Sequence, residues 1–198
     1  MRAAWHGDAA ALAWARGLAA GAQAPWWTPA VCNAAARGGA LAALQWLRRQ
    51  RPPCPWGEQT CEAAAEGGHP RVLRWLRRQR PPCPWGPGTC RAAAARGDLA
   101  MLQWLQRQKP PCPLVGWVCE VEAAKGGHLA VLQWLRRQQE PPCPWDRGVC
   151  SAAVEGGHLA VLQWLRQQEP PYPWDRRECM QAALRRSRGD VAAWIAAA

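Results

Sequence analysis

The residues of this chain that could do chemistry stand in a repeated spacing. Cys54 and Cys61 flank Trp56 in "PPCPWGEQTC", with six residues between them, and the arrangement returns as Cys83 with Cys90, Cys112 with Cys119 and Cys143 with Cys150. Paired thiols could hold a metal ion, form a disulfide or act as a redox couple. His69, His128 and His158 each follow a Gly-Gly step, and Asp8, Asp98 and Asp190 follow a glycine at what reads as the same place. Arg96-Gly97-Asp98 and Arg188-Gly189-Asp190 spell an adhesion-type tripeptide.

Each sharp reading weakens against the repetition. A structural zinc site needs four ligands around one ion, and one copy supplies two Cys and at most one His, without the C-x2-C spacing of common zinc modules. A disulfide between Cys54 and Cys61 would close only a short loop. Two copies also lack one member, with Pro25 opposite Cys32 and Tyr172 opposite Cys179. Buried thiols are therefore the expected state, with disulfides inside each copy as the alternative. His exchanging with Asp after glycine reads as helix capping. The RGD tripeptides fall on the same turn and need no separate explanation. No His, Asp, Glu or Ser constellation stands outside the repeat, so no catalytic residues, no metal and no cofactor are expected.

The elements that position these residues form a repeat of 29 residues. The chain reads as a single repeat domain over 1–198, with a truncated copy at 1–24, copies at 25–53, 54–82 and 83–111, a longer one at 112–142, another at 143–171 and a divergent copy at 172–198. Periods of this length mean a solenoid, propeller or array. In the copy at 54–82 the pattern predicts a slim, Ala-rich first helix over Gln59–Glu66, ended by Gly67-Gly68, and a second over His69–Arg80. The second helix carries an apolar stripe of Val72, Leu73, Trp75 and Leu76, matched by Leu41, Leu44, Trp46 and Leu47 and by equivalents in later copies. Pro81, Pro82 and Pro84 remove backbone donors, so the linker between copies is expected as an extended finger rather than a β-hairpin. The opening "MRAAWHGDAAALAWARGLAAGAQA" imitates a secretory signal, but Asp8 and Arg16 bracket its apolar run, and Gly7-Asp8, Leu12 and Trp14 fit second-helix positions of the truncated copy.

The run Thr60 to Leu76, "TCEAAAEGGHPRVLRWL", resembles the ankyrin repeat core, in which an apolar residue, an Ala-Ala pair, a Gly-His step and a Val-Leu-x-x-Leu stripe follow one another. The short Cys-Pro-Trp copies look like divergent ankyrin-like arrays. They depart from the family in their shorter period, the missing Thr-Pro-Leu-His helix start and the prolines at the hairpin. The resemblance implies an all-α solenoid of helix-linker-helix units, with first helices on the concave side and second helices outside. It also implies a non-catalytic protein-binding scaffold that contacts its partner through the fingers and the first-helix surface. Mapped onto this chain, that surface is Glu58, Gln59, Glu62, Pro87, Arg91, Trp117, Glu120, Arg147, Ser151, Arg176 and Arg177. Trp117 is the one aromatic that the repeat does not require.

Composition adds a rival. The net charge is +11, carried almost entirely by Arg, with Lys only at Lys109 and Lys125. Basic residues gather after each second helix, at Arg48, Arg49, Arg51, Arg77, Arg78, Arg80, Arg107, Lys109, Arg136, Arg137 and Arg166. Cations favour helix C-termini, so each cluster has a local cause. Stacked copies would also align them into a ridge for nucleic acid or another polyanion, the alternative to a protein partner. No apolar run approaches the 18 residues of a membrane span, and the expectation is a monomer inside the cell, cytoplasmic or nuclear.

Overall fold

A computed structural model describes residues 28–138 and 147–198, with nothing described for the side chain of Arg147. The truncated N-terminal copy, Pro25, Cys143 and Trp145 lie outside the described residues. Among those described, the chain is all-α, with twelve helices and no strand. They are α1 (Pro29–Arg37), α2 (Leu41–Arg49), α3 (Glu58–Gly67), α4 (Pro70–Arg77), α5 (Pro87–Ala95), α6 (Leu99–Gln106), α7 (Gly116–Lys125), α8 (Leu129–Gln138), α9 (Arg147–Gly156), α10 (Leu159–Arg166), α11 (Arg176–Arg185) and α12 (Gly189–Ala197). The fold divides into two compact units, one of residues 1–93 with 104–113 and one of 94–103 with 114–198.

In the first unit α1 packs on α2 and α3, and α3 packs on α4. Ala35, Ala36, Ala63, Ala64 and Ala65 are fully buried or nearly so, which is why the first helices must be slim: larger residues there would hold neighbouring helices apart. Leu44, Leu47, Leu73 and Leu76 close the core from the second helices. In the second unit α7 packs on α8 and α9, α9 on α10 and α11, and α11 on α12, with Leu132, Leu135, Leu162, Leu165 and Ile195 in the equivalent core.

Each helix pair turns on one left-handed residue. Gly68 has φ +73°, the His69 N–H donates to the Ala64 carbonyl at 2.9 Å and the Gly68 N–H to Ala65 at 3.0 Å, the pair of bonds that closes a Schellman turn. The same five-residue bond joins Ala40 to Ala35, His128 to Ala123, His158 to Ala153 and Arg188 to Ala183, and so fixes the register of the copies.

That register corrects the alignment on cysteines at two places. Counting three residues back from each accepting alanine gives Cys32, Cys61, Glu120, Cys150 and Met180 in one slot. Cys119 and Cys179 therefore occupy the neighbouring slot of Thr60, and one of the two extra residues of the copy at 112–142 lies in its finger. In the last copy Ser187, at φ +55°, holds the left-handed position and Arg188 the histidine position, so Arg188-Gly189-Asp190 is not the turn tripeptide that sequence reading made it.

The second helices are shorter than expected, α4 ending at Arg77 rather than Arg80. Side chains terminate them. The Gln79 amide donates to the Trp75 carbonyl at 3.0 Å, and the Arg77 guanidinium donates across the finger to the Cys83 carbonyl at 2.6 Å. The fingers carry no strand pairing among the described residues.

Candidate interaction surface

Three sets of side chains join one copy to the next, and their geometry decides which residues remain for an outside partner. The thiols form the first set. The structure does not bring Cys54 and Cys61 together; it places Cys32, Cys61 and Cys90 each beside the finger cysteine of the following copy. Cys32 Sγ lies 3.9 Å from the Cys54 carbonyl and Cys61 Sγ 3.9 Å from the Cys83 carbonyl, while the finger thiols of Cys54, Cys83 and Cys112 reach the Thr28, Gly57 and Gly86 carbonyls at 3.6, 3.4 and 3.5 Å. All nine described cysteines are buried thiols. The contact with Cys54, then burial, pushes the Cys32 thiol far up, and Cys83 with burial does the same to Cys61. Burial first, and then Cys179, push Cys150 up to about 12.

Cys90 runs the other way. Its contact with Cys112 lowers it, with help from the Gln106 amide 3.5 Å from its sulfur, while Cys112 is raised, first by Cys90 and then by burial. A proton is thus lost more readily at Cys90 and held at Cys112. Among the described residues, no three His, Cys, Asp or Glu side chains converge to hold a metal ion.

Arginine and tryptophan make the second set. Arg48 lies over the Trp56 ring at 3.9 Å and donates to the Cys54 carbonyl at 2.7 Å; Arg77 lies over Trp85 at 3.9 Å; Arg166 lies over Trp174 at 4.8 Å and donates to the Tyr172 carbonyl. Each described finger Trp also meets the Trp of its own second helix, Trp56 with Trp75 at 5.9 Å and Trp85 with Trp104 at 6.2 Å, both edge-on, and Trp174 with Trp194 at 6.0 Å, tilted. Arg48, Arg77 and Arg166, expected on an anion-binding ridge, are therefore joints of the fold. Arg136 lies 5.4 Å from the Tyr172 ring and also faces inward. Where the finger has Leu114 and Val115 in place of Trp, the arginine position holds Gln106, whose amide makes the carbonyl contact to Cys112 at 2.9 Å. That joint replacement is a signal in the sequence that could have revealed the stacking.

Histidine makes the third set. His69 opens α4 without a side-chain cap; its Nε2 lies 3.0 Å from the Arg37 carbonyl at the end of the previous first helix. His128 meets Ala95, and His158 meets Lys125, in the same way at 3.0 Å. Capping is thus a correction for His and holds for Asp98, whose carboxylate accepts from the Met101 N–H at 2.8 Å. Space for the ring requires glycine: a Cβ at Gly67 would collide with the Arg37 carbonyl and the His69 ring.

What is left over varies from copy to copy. Glu58, Gln59 and Pro87 are exposed, and Trp117 is 51% exposed at the start of α7. Arg177 is exposed beside Met180 and Gln181, whereas Arg176, although exposed, ties its guanidinium to the Ile195 and Ala196 carbonyls at 3.0 and 2.8 Å. Glu62 and Arg91 pair with each other at 2.6 Å, half-buried, and Arg91 lies 3.8 Å from Glu66. Ser151 is half-buried, and its contact lowers the Cys179 thiol against the larger upward push of burial. Arg147 opens α9. Glu120 is a correction: it is fully buried in the cysteine slot, beside the Tyr172 phenol, whose proton burial and then Glu120 hold in place. The extra finger residue produced the error, because it moved the copy's cysteine one place along.

No family model matches the sequence, and no curated protein matches it. No helix among the described residues is long and apolar enough to cross a membrane.

Proposed function

We propose that this chain is a non-catalytic protein-binding scaffold of ankyrin-repeat type, its copies stacked as a solenoid, with its partner meeting the fingers and the first turns of the first helices. The observation that carries this is the contrast between slots. Cys, Ala and Leu slots repeat inside, while one position at the first-helix start reads Glu58, Pro87, Trp117, Arg147 and Arg177 in successive copies and is exposed at Glu58, Pro87, Trp117 and Arg177. A frame with constant joints and variable outward residues suits recognition by an extended surface.

Trp117 is the anchor, because a large exposed aromatic that the fold does not need supplies apolar area to an interface. The test is affinity for a captured partner before and after substitution. Trp117→Ala should weaken binding about 30-fold or more, the loss of a hot-spot residue at roughly 2 kcal/mol. Ala130→Ser and Ala160→Ser, at exposed positions of the second helices, should leave it unchanged. Equal affinities for all three variants would place the interface elsewhere.

A further inference from the structure

Setting aside Arg48 and Arg77, the two arginines in joints of the first compact unit, sharpens the pattern of its remaining basic residues. Each second helix there ends in a cation, a glutamine and a cation: Arg49-Gln50-Arg51, Arg78-Gln79-Arg80 and Arg107-Gln108-Lys109. The middle glutamines face inward, donating to the Trp46, Trp75 and Trp104 carbonyls at 2.9, 3.0 and 3.0 Å. The flanking cations are all exposed. The segment that carries them is pinned at the glutamine and again where Arg48, Arg77 or Gln106 holds the finger carbonyl, so the cations start from a fixed backbone.

We propose that these three cation pairs form a strip that binds the phosphate backbone of a nucleic acid duplex. Two observations favour this partner over an acidic protein. The rungs are alike and recur once per copy, at the same place after each second helix. A regular lattice of equal charges fits a polymer of equal opposite charges better than the irregular surface of a protein. A protein interface also needs a desolvated apolar centre, and the large apolar side chains exposed among the described residues are Trp117 and Leu184, both in the second compact unit. Contact with phosphates needs no such centre and reads no sequence. In the second unit the row keeps a single cation at Arg137, exposed and donating to the Gln133 carbonyl at 3.3 Å, with Gln139 where its pair would stand, and then becomes Gln167 and Glu169, so the paired strip belongs to the first unit.

The test is fluorescence anisotropy with the full chain and a labelled duplex of about 20 base pairs, between about 50 and 200 mM salt. Six phosphate contacts give a log-log slope near −5 and a loss of about a thousandfold across that range. Replacing one rung, as in Arg78→Gln with Arg80→Gln, should reduce the slope by about 2, and replacing all three should abolish binding at the lower salt. Arg185→Gln with Arg186→Gln removes the same charge from the second unit and should leave the slope unchanged. Circular dichroism checks that each variant is folded. The proposal is overturned if the rung variant and the second-unit variant change the slope equally, or if polyglutamate at equal charge concentration displaces the duplex as well as unlabelled duplex does. The first result would mean that net charge alone binds, and the second that the strip takes an acidic protein.

Discussion

The two compact units use the same joints and present different surfaces. In the first, exposed cations recur in pairs and the large apolar side chains among the described residues are buried or half-buried; in the second, the cation row fades to Gln167 and Glu169, and Trp117 and Leu184 are exposed. The interiors differ too. The first unit fills its finger slot with Cys54, Cys83 and Cys112, each hydrogen-bonded to the preceding finger, whereas the second, among the described residues, places Tyr172 there, against buried Glu120 and under Arg136. A slot that takes a thiol or a phenol is selected for filling space and hydrogen bonding; sulfur chemistry is not what it preserves.

The contrast can be broken most forcefully at the phenol. Tyr172→Ala removes a fully buried aromatic and exposes Glu120 to an empty slot, and should cost about 3–5 kcal/mol in denaturant unfolding. Cys83→Ala removes one sulfur from the equivalent slot and should cost about 1 kcal/mol. Equal losses would show that the two joints do not differ as their sizes require.

Alkali tests the thiols themselves. A thiol raised in the folded state adds stability that is intact below its unfolded value near pH 9 and is lost as pH climbs toward the folded value, about 12 for Cys150. Stability should fall from pH 9 upward by about 1.4 kcal/mol per pH unit for each such thiol. Cys150→Ala should flatten the slope by close to one proton, whereas Cys90→Ala should not, because Cys90 is shifted downward.

A smaller effect lies at the last turn. Ser187 adopts φ +55° where other copies use glycine, so Ser187→Gly should stabilise the second unit by up to about 1 kcal/mol, read from the unfolding midpoint. No change would mean that the serine side chain repays its conformation through contacts of its own.

Helix positions and the core were legible because Val72, Leu73 and Leu76 recur at helical spacing and Gly67-Gly68 marks the turn; both follow from local periodicity. Glu120 was not legible, since Cys112 and Cys119 keep the usual spacing while the inserted finger residue shifts everything after them relative to the fold. Nor were Arg48 and Arg77, whose partners Trp56 and Trp85 lie across a finger bend that no helical period describes. Their inward roles change the reading of the basic clusters, dividing them into joint residues and an outward remainder. Glu58, Pro87, Trp117, Arg147 and Arg177 were legible one by one as positions that fail to repeat, but not as one row, because alignment on cysteines sets Trp117 beside Gln59 until the turn hydrogen bonds fix the register.

The central claim is that the cysteines are interior pegs of a repeated frame, leaving function to the residues around them. Counting thiols by mass after brief alkylation at neutral pH tests it most directly. The native protein should take at most the one label available to Cys143, which lies outside the described residues, and should take all ten in denaturant. Two or more labels acquired by the native protein within minutes would contradict the account, and their positions would identify the joint that opens.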